Sequence, residues 1–520
     1  MPPREAGSNT ILLLPLDERP VNTRYPEMLA RIAGWSVLLP PEEIRGHGRS
    51  SADLDAVAQW LRATAEAASC VVASCDYLAF GNLINARISQ DSAHAAAARL
   101  GLLAEINVRC PVHAFSVITR VANANDCVEE PLYWAEWGTR FYRWAHLFHR
   151  SEVSDLPAND AAELSSLTAE LPADLRSDWL NRRLRNHAVN LSLLDMASRG
   201  ELTSLALTSD DTAPYGLSSR ERSWLIGWGR LIGEPLSTRV QAYPGADEVG
   251  SALVARVINE ATGQTPRVYV DYAIDADRTV VARYEDRAIE QTVLGQIRAC
   301  GCAVVDDVSA ADFVLAVVTP NPAQDDYRPE FLARDAAVRT QPYEAFIARL
   351  AGRQTIGKPV AIADVAYPNG GDPLFTRLLL SPKSGVLARD LAAYGAWNTA
   401  GNTLGVVVAQ ASLALKAETP EQRDAQRIFL AHRFLEDCGY QSVVRKEARD
   451  ECERLWGKRE PDPDCITNQH EIALFIEGRL MELLAELRRS GIGREVDIAP
   501  ASTRLPWRRT FEVDFELTAR

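Results

Sequence analysis

Two adjacent carboxylates, Asp210 and Asp211, are the residues of this sequence with the clearest capacity for chemistry. They stand in the stretch LTSDDTAPYG, where an apolar run over residues 202–207 ends and a Pro and a Gly follow. Two like charges a few ångströms apart repel each other. A fold tolerates them cheaply only in open solvent, or keeps them for catalysis or metal binding. The pair therefore marks a candidate active site at the end of a buried strand.

Short apolar runs that alternate with helical patterns must position this pair. The runs hold four to eight apolar or β-branched residues each, which is the length of a buried strand. Alternation of strands and helices predicts an α/β fold with a parallel sheet covered by helices. Six or seven such units before residue 275 favour a (β/α) barrel-like domain. A pair of open doubly wound sheets is the alternative.

Charged residues follow most of these predicted strands. In parallel α/β folds the carboxyl ends of the strands meet on one side, where ligands bind. We therefore expect the strand-end residues to form one polar pocket. They are Asp17, Glu18 and Arg19 after the first run, Asp76 after the third, Arg120 after the fourth, Asp210 and Asp211 after the fifth, and Asp247 and Glu248 after the sixth.

The pattern changes twice along the chain, which predicts three domains. Residues 1–265 are the barrel-like catalytic domain. Residues 266–415 hold further strand-like runs, such as ADFVLAVVTP, and are predicted to be a second α/β domain. Residues 416–520 are predicted to be a helical C-terminal region, because charged and apolar residues alternate there at helical spacing. That region ends in FEVDFEL, whose strict alternation is typical of a half-buried edge strand.

The composition argues against a nucleic-acid-binding protein and against a membrane protein. The net charge of −14 argues against a nucleic-acid partner, which would require a basic surface. The nine Cys include no CxxC pair and indicate reduced thiols, and no apolar run approaches the ~20 residues of a membrane span. We therefore expect a cytoplasmic protein without a membrane partner. No nucleotide-binding glycine motif and no HExxH pair occurs, so neither a cofactor nor a metal is expected.

Two loops outside the first domain could also contribute to a site. Trp397 and Asn398 lie in AYGAWNTAGNTLG, and Asn369 lies in YPNGGDP. Loop Asn and Trp side chains suit the recognition of sugar hydroxyls and of the apolar face of a sugar ring. Equally, the first loop could simply begin a helix, and the second could be a tight turn.

Several blocks of the sequence together resemble a bacterial family catalogued as domain of unknown function 4127. The blocks are PLDERPVN, CDYLAFGNLINAR, VITRVANAND, SDDTAPYG, YPGADEVGSALVAR, ADVAYPNGGD and YGAWNTAGNTLG, and they span about residues 10 to 410. Their order and spacing fit the family, although no single block is specific. The resemblance implies no activity, so the function must be argued from the chemistry of the site.

The pair Asp210–Asp211 also looks like the adjacent carboxylates of retaining, substrate-assisted β-N-acetylhexosaminidases on barrel folds. That resemblance implies a glycoside hydrolase acting on a 2-acetamido sugar, with GlcNAc or GalNAc as candidates. Asp211 is assigned the general acid and Asp210 the acetamido contact, and the order could be reversed. The candidate substrate-binding residues are Asp17, Arg19, Asp76, Asn82, Arg120, Tyr215, Asp247, Glu248, Asn369, Trp397 and Asn398.

Two alternatives use the same pocket. The first is a hydrolase or lyase that binds Mg²⁺ or Mn²⁺ through the cluster of Asp17, Asp76, Asp210, Asp211 and Asp247. The second is a sugar-binding protein without catalysis. A small carbohydrate is the expected partner in the glycosidase and sugar-binding cases, and the oligomeric state, including a homo-oligomer, is left open.

Overall fold

Two α/β units carry the residues that the computed structural model describes, which are 9–234, 236–322 and 327–520. The first unit holds the described residues up to Glu18, together with Ser36–Gly250 and Tyr284–Asp286. The second unit holds Arg19–Trp35, Ser251–Arg283 and the described part of residues 287–520. The units are therefore not contiguous segments of the chain. The division into domains at residues 265 and 415 stays a prediction.

Six parallel strands form the sheet of the first unit. Their buried side chains are mostly Val, Leu, Ile and Ala, which is typical of a parallel sheet covered on both faces. Their order in the sheet is β2-β1-β3-β4-β5-β6. The strands are β1 (Thr10–Leu14), β2 (Ser36–Leu38), β3 (Cys70–Ser74), β4 (Val112–Ile118), β5 (Ser204–Ser209) and β6 (Val240–Pro244).

This strand order corrects the predicted barrel. In a (β/α) barrel each new strand adds to the same side of the previous one until the sheet closes. Here β2 pairs with one side of β1 and β3 with the other, so the direction of winding reverses at β1. Within the described residues β2 and β6 are the two edges of the sheet. The first unit therefore has an open parallel sheet, and strand–helix alternation alone could not distinguish the two.

The sheet of the second unit has the same kind of strand order. Its five parallel strands are arranged β11-β10-β9-β7-β8. Numbered within the unit, this is the order 2-1-3-4-5, which the first unit also shows before its sixth strand. The strands are β7 (Arg267–Tyr272), β8 (Ala303–Val304), β9 (Phe313–Val318), β10 (Val360–Asp364) and β11 (Ala393–Gly395).

Helices connect the strands and provide most of the remaining structure. In the first unit, an aromatic cluster around Trp134, Phe141 and Trp179 is formed by residues of four of these helices. Among the described residues, no helix is both long enough and apolar enough to cross a bilayer. The α-helices are Arg24–Ile32, Leu54–Thr64, Cys75–Phe80, Leu83–Ile88, Ala93–Asn107, Trp134–Val153, Ala158–Glu170, Ala173–Ser198, Leu217–Ile232, Leu236–Arg239, Val249–Ala261, Ile289–Ala299, Phe331–Thr355, Pro373–Leu379, Ala400–Ala414, Pro420–Arg433, Arg445–Trp456 and Ile466–Leu487.

The last hundred residues are mainly helical and belong to the second unit. A π-helical segment, Phe434–Val444, joins two of the α-helices into one continuous helical stretch. The predicted edge strand is shorter and lies later than expected, as β13 (Leu517–Ala519) pairs antiparallel with β12 (Val496–Ile498). Val513 and Phe515 are nevertheless fully buried, which explains the alternation of the sequence.

Candidate active site

The pair Asp210–Asp211 lies directly after β5, at the carboxyl edge of the first sheet. The backbone N–H of Asp210 donates to the carbonyl of Ile118 (3.2 Å), so Asp210 still continues the pairing with β4. Asp211 then adopts a left-handed conformation with φ of 40°. A residue other than Gly seldom does so, and the turn ends the alternation of side chains that a strand imposes. The two carboxylates are thereby freed from pointing to opposite faces.

Arg87 holds Asp210 from the end of the short helix Leu83–Ile88. Its guanidinium lies 2.6 Å from Asp210 Oδ2 and 2.7 Å from Glu129 Oε2. Glu130 Oε1 lies 3.5 Å away on the same guanidinium nitrogen that binds Glu129. The Arg87 side chain is only 3% exposed, so its removal would take the ion-pair partner from Asp210 and leave Glu129 and Glu130 with one buried cation fewer.

Arg120 holds Asp211 in a parallel way. It follows β4, and its guanidinium lies 2.9 Å from Asp211 Oδ2 and 3.2 Å from Glu129 Oε2. Glu129 therefore bridges the two arginines, and this bridge places Asp210 and Asp211 in one group. We refer to the six residues Arg87, Arg120, Glu129, Glu130, Asp210 and Asp211 as the arginine–carboxylate cluster.

The charges of this cluster do not balance, because two guanidiniums face four carboxyl groups. Burial raises the pKa of Glu130 to about 7, an effect only partly offset by Arg87 and Arg120. Burial also raises the pKa of Asp211, and the neighbouring charge of Asp210 adds to that shift. The Asp211 side chain is 29% exposed and that of Asp210 is 13% exposed. Asp211 thus combines a raised pKa with the greater exposure to solvent of the two side chains.

Asp76 and Asn82 support this arrangement from the β3 side. Asp76 accepts a hydrogen bond from the backbone N–H of Val117 (2.8 Å), and burial raises its pKa to about 6. Asn82 is the N-cap of the helix that carries Arg87, as its side-chain oxygen accepts from Asn85 N (2.8 Å). Both residues are buried, and their role in binding a substrate stays a prediction.

The other predicted residues of the first unit follow the strands β1, β5 and β6 in the sequence. Asp17 follows β1 and is fully buried. Glu248 is also fully buried. Its carboxylate accepts a hydrogen bond from the backbone N–H of Ala246 (3.0 Å) in the turn after β6. The neighbouring Asp247 is buried as well. Tyr215 packs edge-on against the rings of His146 and His149.

Four predicted site residues belong to the second unit. Asn369 and Asn398 both have left-handed φ angles, 60° and 66°, and the backbone N–H of Asn369 donates to the carbonyl of Asn398 (3.0 Å). Arg19 forms an ion pair with Glu512 (3.3 Å) and stacks on the ring of Trp507. Trp397 lies beside Phe511.

Three members of the cluster, Arg87, Glu129 and Glu130, are not among the site residues predicted from the sequence. Arg87 ends the block CDYLAFGNLINAR, and Glu129–Glu130 is a second pair of adjacent acids in the loop after β4. The repeated pattern of side-by-side carboxylates was a usable signal. It was missed because the two glutamates lie eleven and twelve residues beyond the last residue of the strand, Ile118, rather than directly at its end.

Within the described part of the chain, no group of three or more His, Cys, Asp or Glu side chains is arranged to hold a metal ion. All nine cysteines are free thiols, and six of them are buried.

These observations define the class of the protein. It is an open parallel α/β protein with a partly buried cluster of arginines and carboxyl groups at the end of a strand. Residues 11–516 match the family described as "Protein of unknown function (DUF4127)", and the chain belongs to that family. No curated protein and no solved structure matches the chain. The family description names no activity, so the cluster itself is the basis for a function.

Proposed function

We propose that this protein is a glycoside hydrolase in which Asp211 is the general acid. The observation that carries the proposal is the contrast between two adjacent carboxyl groups. Asp210 is held by the buried Arg87 at 2.6 Å, whereas Asp211 is more exposed and has a raised pKa. Neighbouring carboxyl groups whose environments push their protonation apart are typical of an acid and its charged partner in glycosidases.

The first chemical step uses the proton on Asp211. Asp211 donates this proton to the glycosidic oxygen as the bond from that oxygen to the anomeric carbon breaks. Arg120 lies 2.9 Å from Asp211 Oδ2 and stabilises the carboxylate that results. The same carboxylate can then take a proton from water, which restores the acid in the second step.

The finer part of the proposal is that the substrate carries a 2-acetamido group. The acetamido oxygen attacks the anomeric carbon, and Asp210 accepts a hydrogen bond from the acetamido N–H. The ion pair with Arg87 uses Oδ2 of Asp210, which assigns Oδ1 to this contact. Water then opens the cyclic intermediate, and the sugar leaves with its original anomeric configuration. This assignment rests on the resemblance of the pair to those of substrate-assisted hexosaminidases.

A panel of nitrophenyl glycosides that includes GlcNAc and GalNAc tests the proposal. We expect the wild-type protein to hydrolyse at least one 2-acetamido glycoside, and Asp211→Asn to be strongly impaired on a substrate with a poor leaving group. Asp155→Asn is the matched control, because Asp155 is an exposed Asp of the same unit. Absence of turnover on every member of the panel by folded wild-type protein would contradict the proposal. Binding of a sugar without turnover would favour a sugar-binding protein.

A further inference from the structure

Trp397 in the second unit has a buried hydrogen-bond donor without an acceptor. The side chain is 4% exposed, and its indole N–H makes no hydrogen bond among the described residues. An indole N–H can only donate, and a buried donor that stays unpaired costs stability. The ring of Trp397 lies beside that of Phe511, with 6.1 Å between the ring centroids. An acceptor is therefore missing close to Phe511.

Arg445 brings a second set of donors to the same ring. Its guanidinium carbon lies 4.6 Å from the centre of the Phe511 ring. Its one hydrogen bond within the described residues goes to the side-chain oxygen of Gln441 (3.3 Å), and no carboxylate there lies within ion-pair distance. The Arg445 Nε–H is buried without an acceptor, and burial lowers the pKa of this guanidinium. The charges of Glu460 and Glu512 offset this only in part, and neither forms an ion pair with Arg445. A half-buried cation without a direct ion pair is stabilised when an anion binds it.

Two further guanidiniums lie against Phe511 or against the nearby ring of Trp507. Arg509 lies 5.0 Å from the centre of the Phe511 ring and 4.7 Å from that of Trp507. Arg19 lies 4.2 Å from the Trp507 ring. Both arginines form ion pairs with the same residue, Glu512, at 3.3 Å from Arg19 and 2.8 Å from Arg509. Arg509 is thus a cation that lies against both aromatic rings.

Backbone strain holds the aromatic part of this arrangement in place. Trp507 and Arg508 both have left-handed φ angles, 52° and 57°, in consecutive positions. Such conformations are unfavourable for residues other than Gly and concentrate at functional sites. The strained turn places Trp507 against the guanidiniums of Arg19 and Arg509.

We propose that the second unit binds a small oxyanion, the carboxylate or phosphate group of a soluble ligand, beside Phe511 and between Trp397, Arg445 and Arg509. The oxygens of such a group accept hydrogen bonds from the indole N–H of Trp397 and from the guanidinium N–H groups of Arg445 that have no acceptor among the described residues. A guanidinium presents two parallel N–H groups that match a carboxylate or phosphate edge. This inference goes beyond the proposed function, because it requires no catalysis and no residue of the arginine–carboxylate cluster.

Calorimetric titration with two probes at constant ionic strength tests this inference. Sodium glucuronate presents a carboxylate on a sugar, inorganic phosphate presents a phosphoryl group, and glucose is the neutral control. We expect saturable binding of at least one of the two anions to the wild-type protein and none of glucose. The anion that binds identifies the group that the site accepts.

Three variants show whether the bound anion lies at this site. Arg445→Met should weaken binding about tenfold or more, because it removes a charged donor. Trp397→Phe keeps an aromatic ring and removes the N–H, so it should weaken binding by a smaller factor. Arg389→Met, which removes an exposed arginine of the same unit, should bind as the wild type does.

Two results would overturn the inference. One is that neither anion binds the wild-type protein saturably. The other is that Arg445→Met and Trp397→Phe bind with wild-type affinity. Should Arg445→Met fail to fold, as judged by circular dichroism, Trp397→Phe alone decides the matter. Asp211→Asn should bind the anion normally, so the outcome here is separate from that of the glycosidase assay.

Discussion

The two units share a strand order but use the carboxyl edge of their sheets differently. In the first unit, the carboxyl groups that follow β5 face the guanidiniums of Arg87 and Arg120. In the second unit, Asp364 ends β10, is fully buried and has no arginine in ion-pair distance within the described residues. Its carboxylate accepts from the backbone N–H of Asp372 (2.7 Å). The same scaffold thus supports a cluster of arginine–carboxylate ion pairs in one unit and a buried hydrogen-bond network around Asp364 in the other.

The difference shows in the protonation of the two sites. Burial raises the pKa of Asp364 to about 8, and the charge of Asp372 adds to the shift. Tyr343 donates a hydrogen bond to Asp372 (2.8 Å). Asp364 therefore holds a proton at neutral pH in a fully buried side chain. Asp211 also has a raised pKa, but its side chain is 29% exposed. A raised pKa alone does not identify a catalytic acid, because access must accompany it.

Replacing Arg87 should produce the largest loss of stability. Arg87→Met leaves Asp210, Glu129 and Glu130 in a buried position with one cation fewer. Removing one partner of a buried ion pair costs about 3–5 kcal/mol in the free energy of unfolding. Urea denaturation of the variant measures this loss. A loss below about 1 kcal/mol would mean that the cluster is solvated and that the contrast between the units is wrong.

Replacing Asp364 should change the pH dependence of stability in the second unit. Between an unfolded pKa near 4 and the folded pKa of about 8, the folded state holds a proton that the unfolded state has released. The free energy of unfolding therefore falls as pH rises through this window, by at most about 1.4 kcal/mol per pH unit. In Asp364→Asn this decline should flatten. Urea denaturation at pH 5 and pH 8 checks it, with the exposed Asp390→Asn as the control. Equal pH slopes for Asp364→Asn and wild type would contradict a protonated Asp364.

Replacing Asn82 should have a smaller effect on stability but a specific effect on activity. Asn82→Ala removes the cap of the helix that carries Arg87 and costs about 1 kcal/mol. Ser92→Ala removes the cap of Ala93–Asn107 in the same unit and is the matched control for stability. If Asn82 positions Arg87, its variant loses glycosidase activity while Ser92→Ala does not. Equal activities would show that the cap is structural only.

Chelation should have no effect on activity. Arg87 and Arg120 already bind the carboxylate oxygens of the cluster, and these cations compete with a divalent metal for the same oxygens. We expect the rate of aryl glycoside hydrolysis to be the same before and after treatment with EDTA. Loss of activity that Mg²⁺ or Mn²⁺ restores would instead support a metal-dependent hydrolase or lyase.

Much of the fold was predictable from the sequence, because parallel strands are buried on both faces and appear as continuous apolar runs. The runs around Leu12, Val72, Phe115 and Leu207 are strands of one sheet. The open sheet was not predictable in the same way. Whether β3 adds beside β2 or on the other side of β1 depends on packing between distant segments, which leaves no periodic signal in the sequence.

The site was predictable only in part. Asp210, Asp211 and Arg120 follow strands directly, so the end of each apolar run marked them. Arg87 could not be found in that way, because it ends a helix and meets Asp210 across 123 positions of the chain. Trp397 was singled out by its loop, but only the structure shows that it has a buried N–H without an acceptor.

The most direct test of the central claim compares Asp211→Asn on two 2-acetamido glycosides that differ in their leaving group. With a poor leaving group, the variant should lose about 10²-fold or more in rate, because the departing oxygen needs the proton of Asp211. With an activated nitrophenyl leaving group the loss should be much smaller, whereas Asp210→Asn should slow both substrates to a similar extent. A wild-type rate for Asp211→Asn on the poor-leaving-group substrate would contradict the account, and the pair would then be only a polar end of β5.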